Sequence, residues 1–220
     1  MTAMILAAGR GERMRPLTDA VPKPLLEVHN KPLIVWHIEK LASLGFSQIV
    51  INIAHLGYKI PDALGDGSRW GVSLIYSDEQ VCGGLESAGG IVKALPLIRS
   101  ETFLVVNGDI WSDYEFKNSF DLGKDLAHLI LVKNPEHNQN GDFGLLENRV
   151  LNDAKEKFTF SGIGYYSKKL FDALKCEKAP LAPLLRQAME NGKVGGSFYA
   201  GKWHDIGTIQ RLEEANATSV

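Results

Sequence analysis

Cysteine is nearly absent from this chain. Cys82 and Cys176 are the only two in 220 residues, and they lie far apart. That excludes a disulfide framework and a cysteine metal spacing, and it suits a reducing, cytoplasmic setting. No apolar run approaches the ~20 residues needed to cross a bilayer. The apolar start, Met1-Thr2-Ala3-Met4-Ile5-Leu6-Ala7-Ala8, lacks a basic flank and passes directly into Gly9-Arg10-Gly11. It reads as a buried strand, not a signal peptide, and no membrane partner is expected. The formal net charge of −2 provides no global basic field, which excludes a nucleic-acid partner on charge grounds. None of the six histidines falls into a zinc spacing or a hydrolytic triad. The P-loop pattern is missing, and the dinucleotide fingerprint fails because its third glycine would fall at Met14. There is no internal repeat, linker or low-complexity tract.

What is present is ordinary globular material: 45% apolar residues and 23% charged, enough for one α/β domain with a sizeable core. Short β-branched or apolar runs predict buried strands at 3–8, 48–53, 72–76 and 103–106. Between them a helix opened by Pro32 is expected over 33–44, a weaker one over 56–64, and a third from Glu86 or Ser87 to residue 95. The alternation points to a mostly parallel, doubly wound sheet, whose ligands lie at the carboxyl ends of its strands. The second half is less regular. Strands are expected at 126–132, 144–146, 150–151, 158–166, 194–199 and 202–205, with helices at 183–191 and 209–217.

The loop after the first strand is the densest signal. It runs Ala8-Gly9-Arg10-Gly11-Glu12-Arg13-Met14-Arg15-Pro16-Leu17-Thr18 and continues to Pro22-Lys23-Pro24. Gly9 and Gly11 can take positive φ and bring backbone N–H groups against phosphate oxygens. Arg10, Arg13, Arg15 and Lys23 add cations. Backbone donors for geometry and cations for charge are what a triphosphate requires. The fourth strand ends in Asn107-Gly108-Asp109. This is either a tight turn or a carboxylate presented at the ligand edge, where Mg²⁺ would take one or two carboxylates together with phosphate and water. Asp205, in Trp203-His204-Asp205-Ile206-Gly207-Thr208, is the candidate second carboxylate. Leu85-Glu86-Ser87-Ala88-Gly89-Gly90 follows the third strand. It is small enough to lie against a planar base, and Ser87 could equally cap the helix.

These segments, together with Gly141-Asp142-Phe143, Phe160-Ser161-Gly162-Ile163 and Leu181-Ala182-Pro183-Leu184-Leu185-Arg186-Gln187-Ala188, resemble the pattern of the sugar-1-phosphate nucleotidyltransferases. The resemblance covers nearly the whole chain. It implies a Rossmann-like, GT-A-like nucleotide-diphospho-sugar transferase fold, a mixed and mostly parallel sheet flanked by helices. One domain would span residues 1–220, with 1–110 serving the nucleotide and 111–220 the sugar. It further implies Mg²⁺-dependent transfer from UTP to a sugar 1-phosphate, in the branch that activates a cell-wall sugar. By the same resemblance Ala8, Gly9, Gly11, Glu12, Arg13, Lys23, Glu86 and Ser87 would bind the nucleotide, and Arg13, Lys23, Asp109 and Asp205 would act in catalysis. Asp109 and Asp205 would hold the metal, and Asn107, Asp142 and Ser161 would touch the sugar phosphate. Two stretches depart from the pattern. Residues 79–84 are longer than usual before Leu85, and Glu156-Lys157 stand too close to Phe160, so no role passes to Lys157. Glucose, mannose or heptose 1-phosphate with dTTP or GTP, and a non-catalytic nucleotide-sugar sensor, remain the alternatives.

Overall fold

The computed structural model describes residues 1–217. Its strands are β1 (Ala3–Leu6), β2 (Glu27–Val28), β3 (Lys31–Pro32), β4 (Gln48–Ile53), β5 (Ser73–Asp78), β6 (Thr102–Asn107), β7 (Ile110–Ser112), β8 (Ala127–Val132), β9 (Gly144–Leu146), β10 (Arg149–Leu151), β11 (Thr159–Ser167), β12 (Val194–Tyr199) and β13 (Trp203–Asp205). The α-helices are α1 (Leu17–Ala20), α2 (Leu33–Ser43), α3 (Lys59–Leu64), α4 (Glu86–Ala94), α5 (Leu181–Glu190) and α6 (Ile209–Ala217).

Nine strands form one mixed sheet in the order β5-β4-β1-β6-β11-β8-β12-β10-β9. β5, β4, β1 and β6 are parallel. β11 enters antiparallel between β6 and β8. The fold is α/β, as expected, and the parallel half places the ends of β1, β4, β5 and β6 on one edge.

Period-two alternation explains why both faces are covered. Ala3, Ile5, Ile49, Ile51, Leu104 and Val106 point to one face and pack with Ile34, Ile38 and Leu41 of α2. Met4, Val50, Phe103 and Val105 point to the other, against Ala88, Ile91 and Ala94 of α4 and Leu181, Leu185 and Ala188 of α5. A third, smaller core lies beneath the N-terminal loop. It joins Met14, Leu26, Val28 and Leu33 to Trp111, Ile206 and Ala215.

Several expectations need correction. The first strand stops at Leu6, because Ala7 turns its N–H to the side chain of Asn52 (2.8 Å) instead of to a neighbouring strand. The long loop expected from Gly9 to about Leu25 contains helical turns at Glu12–Met14 and Lys23–Leu25, with α1 between them. Ser87 does not cap α4: the helix starts at Glu86 with no side-chain cap, and the Ser87 hydroxyl accepts the Leu181 N–H at 2.9 Å. The N–H groups of Ala88 and Gly89 are satisfied by the Ala179 carbonyl. β7 was not expected. Three residues are too few to show a period, and the strand exists only through its antiparallel pairing with β13.

Candidate active site

A cleft of about 590 Å³ opens at the carboxyl edge of the parallel strands. Its lining includes Ala8, Gly9, Arg10, Gly11, Glu12, Arg13, Lys23, Glu86, Ser87, Asn107 and Asp109. Every residue expected to bind the nucleotide therefore meets at one place. Gly11 alone of the two loop glycines has positive φ (65°), which corrects the expectation for Gly9. A Cβ at Gly11 would lie 2.8 Å from Thr18 Cγ2, and the Thr18 hydroxyl donates to the Gly11 carbonyl at 2.8 Å. Gly9 has open space on its Cβ side, so its contribution is a bare backbone within the cleft.

The four cations separate. Arg15 pairs with Asp19 on the surface (3.2 Å) and lies outside the cleft lining. Arg10 makes only a long contact with Glu12 (3.9 Å). Arg13 has no ion-pair partner among the described residues and borders both the cleft and the hollow beside it. Lys23 is nearly buried, and its Nζ donates to Asp109 Oδ2 at 2.6 Å. The turn that carries it is bracketed by Pro22 and Pro24. These prolines fix the backbone so that a long side chain starts from a rigid base.

Asp109 and Asp205 come together through pairing of the short strands. Asp205 sits opposite Ile110 in the β7–β13 ladder, and the Ile206 N–H donates to the Asp109 carbonyl at 2.8 Å. Both carboxylates line one hollow with Arg13, Asn107 and Asp142. Each is neutralised by a cation: Asp109 by Lys23, and Asp205 by Arg211 Nη1 at 2.7 Å, with His137 Nε2 at 3.2 Å.

The sugar-side candidates behave differently from one another. Asn107 lies where the cleft and the hollow meet, its amide packed over Gly162, where a Cβ would come within 2.6 Å of Nδ2. Asp142 lines the hollow, but its carboxylate is occupied by the Phe160 N–H (2.8 Å) and Asn138 Nδ2 (3.2 Å). Ser161 is buried. Its hydroxyl donates to the Ile130 carbonyl (2.7 Å) and accepts the Ile163 N–H (3.1 Å), at an irregularity in the β8–β11 pairing. Asp142 and Ser161 thus shape the hollow through the backbone they hold.

Sequence reasoning missed several residues. Glu79 is fully buried at the cleft wall and accepts Asn52 Nδ2 (2.7 Å) and the Leu85 N–H (2.8 Å). With the Asn52–Ala7 bond this makes a continuous hydrogen-bonded line across the ends of three strands. Lys178, 3.5 Å from Glu86, borders the cleft from a distant loop. Arg211 and His137 join Asp205. The one signal that could have exposed Glu79 was its place directly after a β-strand end, the position where such sheets hold ligands.

Residues 2–219 match the family model described as nucleotidyl transferase. An N-acetylmuramate alpha-1-phosphate uridylyltransferase from Neisseria meningitidis serogroup B is 52% identical, over 99% of this chain and 97% of that protein. A UTP–glucose-1-phosphate uridylyltransferase from Synechocystis is 37% identical over 60% of this chain, but only 36% of that protein is covered. Among solved structures, a Bacillus anthracis chain assigned as a glucose-1-phosphate thymidylyltransferase superposes with a TM-score of 0.85 at 25% identity, covering 99% of this chain and 94% of that one.

Proposed function

The chain belongs to the nucleotidyl transferase family, and from that premise we propose that it transfers a uridylyl group from UTP to N-acetylmuramate 1-phosphate, releasing pyrophosphate. The observation that carries this reading is the Lys23–Asp109 pair at 2.6 Å, set at the cleft edge beside Asp205 and below the glycine loop. The near-full-length likeness to the meningococcal enzyme supports the choice of base and sugar.

The residues present fit Mg²⁺. Asp109, in the turn between β6 and β7, and Asp205, on β13, are hard oxygen donors, and both are part-exposed. No group of three or more His, Cys, Asp or Glu among the described residues could hold a metal. Further ligands must then be substrate oxygens and water, which is how Mg²⁺ is usually bound at phosphoryl-transfer sites. Bound there, Mg²⁺ would supply charge stabilisation to the phosphates.

The chain's own part is positioning. An oxygen of the acceptor phosphate attacks the α-phosphorus. The new O–P bond forms as the bond to the β-phosphate oxygen breaks, and pyrophosphate carries away the electron pair. Residues 8–11 line the cleft, where their backbone N–H groups would serve the triphosphate. Arg13, without an acidic partner among the described residues, adds charge from the cleft rim. Lys23 moves its positive charge from Asp109 to the phosphates when the carboxylate is engaged elsewhere. Positioning of both substrates and stabilisation of the developing charge together supply most of the acceleration in such transfers. Both cysteines are free and exposed. Among the described residues no helix is long and apolar enough to cross a membrane.

Pyrophosphate release across a panel of triphosphates and sugar 1-phosphates tests the proposal. Release with UTP and N-acetylmuramate 1-phosphate, in excess over glucose, mannose and heptose acceptors and over dTTP and GTP, is the expected result. Release confined to another pair would reassign the substrates, and no release with any pair would make the chain a nucleotide-sugar sensor.

A further inference from the structure

Three strand ends meet beneath the cleft in one buried polar line. The Ala7 N–H donates to Asn52 Oδ1 at 2.8 Å, Asn52 Nδ2 donates to Glu79 Oε1 at 2.7 Å, and the Leu85 N–H donates to Glu79 Oε2 at 2.8 Å. Asn52 is 2% exposed and Glu79 is 0% exposed. No cation pairs with Glu79 among the described residues, and the chemistry proposed above does not use it. A carboxylate in such a place is costly unless its oxygens are fully engaged. An apolar pair could fill the same space, but it would leave the Ala7 and Leu85 N–H groups without acceptors.

What the pair holds is two loops. Ala7 follows β1 and opens the glycine loop, and Leu85 closes the turn that follows β5. The main chain of Glu79 gathers the rest of that turn. Its N–H donates to the Ile53 carbonyl (2.7 Å), and its carbonyl accepts the N–H groups of Cys82 (2.9 Å) and Gly84 (3.4 Å). Ala7 on one side, and Gly83, Gly84 and Leu85 on the other, line the cleft. Helix α4 packs directly on the pair: a Cβ at Gly90 would lie 2.5 Å from Glu79 Oε1 and 2.8 Å from Asn52 Nδ2.

We propose that Asn52 and Glu79 are positioning residues that set the spacing between the phosphate-binding loop and the base-side turn, so that the two ends of the nucleotide are held as one ligand. This rests on the reading of the cleft as a UTP site. Both side chains are covered from the substrate and act through the backbone N–H groups they anchor. Loops fixed before the nucleotide arrives need no further ordering when it binds. Hydrogen-bond matching restricts which side chains can do this. The line ends on a backbone donor at each side. Between two donors, the two side chains match only if one is a carboxylate and the other a carboxamide. Two carboxamides leave donor facing donor however they are turned, and two carboxylates leave acceptor facing acceptor. The order can be exchanged: in the double variant Asn52→Asp/Glu79→Gln every bond is kept, with the middle one reversed.

The test measures the binding of UTP and of tripolyphosphate, which engages the phosphate loop alone, by titration calorimetry, with KM, kcat and melting temperature alongside. Glu79→Gln should weaken UTP roughly 10-fold, the scale of one mismatched buried hydrogen bond. The loss should fall on KM for UTP and not on kcat, and tripolyphosphate affinity should be unchanged. Asn52→Asp should weaken UTP at least as much and also lower the melting temperature, since two carboxylates then face each other. The exchanged double variant should bring UTP affinity back to within about 3-fold of the wild type, far from the sum of the two single losses. Wild-type UTP affinity in a folded Glu79→Gln protein overturns the proposal. So does an equal loss for UTP and tripolyphosphate, which would make the pair a general support of the fold. If neither single variant folds, the double variant decides: UTP affinity near the wild type supports the pair, and weak UTP with retained tripolyphosphate overturns it. If the wild type binds UTP no more tightly than tripolyphosphate, the nucleotide reading of the cleft falls instead.

Discussion

At the scale of single residues, the site balances its own charge before substrate arrives. Lys23 neutralises Asp109, and Arg211 neutralises Asp205. Removing either carboxylate therefore does two things: it deletes a candidate metal ligand and strands a cation. Lys23→Ala and Asp205→Ala are each expected to lower kcat/KM by roughly 10²-fold, measured by pyrophosphate release. Asp109→Ala should do the same and also lower the melting temperature, since the nearly buried Lys23 loses its partner. Wild-type turnover in a folded Asp109→Ala protein would remove Asp109 from the chemistry. Beneath the site, against the residue that follows Asp109, His37 gives a pH prediction. Burial holds its imidazole down to about 4, and its Nε2 donates to the Ile110 carbonyl at 2.9 Å. The unfolded chain, with a pKa of ~6.5, takes up the proton first, so stability is lost as pH falls from about 6.5 toward about 4. Denaturant unfolding should show about 2 kcal/mol less stability at pH 5 than at pH 7.5 from this residue, a slope missing in His37→Gln.

Residue types in a motif indicated which chemistry gathers here, but not where each side chain points. Lys23 and Asp109 were legible because a cation after Pro22 and a carboxylate at a strand end have few other uses. Ser161 and Asp142 were read as ligand contacts and turn out to bind backbone. A strand irregularity near residue 161 and the turn at residue 142 cannot be seen in a one-residue code. Glu79 was missed for the opposite reason: its partners, Asn52 and the Leu85 N–H, are distant or main-chain.

At the scale of elements, the long, strongly patterned segments were the most legible. β4, α2 and the hairpin of β9 and β10 fall within a residue or so of their expected bounds. Their apolar pattern is local, continuous in β4 and periodic in α2, so the sequence carries it. The single turns around Lys23 and the short β7 are held by tertiary pairing and have no local pattern. The glycine loop allows a test at this scale. Gly11→Ala must take a positive φ and press on Thr18, so it should cost about 1–2 kcal/mol in thermal or denaturant unfolding and raise the KM for UTP. Gly9→Ala meets no neighbour and should leave stability unchanged, acting on UTP binding alone. Equal destabilisation by both would contradict the assignment of the turn to Gly11.

For the whole molecule, one sheet carries the nucleotide edge, while the third core fastens the catalytic loop to the far end of the sequence. Met14 and Leu33 meet Ile206 and Ala215, and the His29 N–H donates to Asn216 Oδ1 at 2.7 Å across 187 residues. Removing residues 209–220 should therefore keep the far-ultraviolet signature of the sheet but lower the melting temperature and abolish UTP binding, measured by calorimetry. Retained UTP affinity would show that the loop holds its shape alone. The same clasp has a consequence during synthesis. At about 5–20 residues per second, the loop leaves the ribosome about 10–40 s before its clasp is made. For that interval Met14, Val28 and Leu33 lack their cover. A chain cut short between β13 and α6 would hold every strand of the sheet and still have no working mouth.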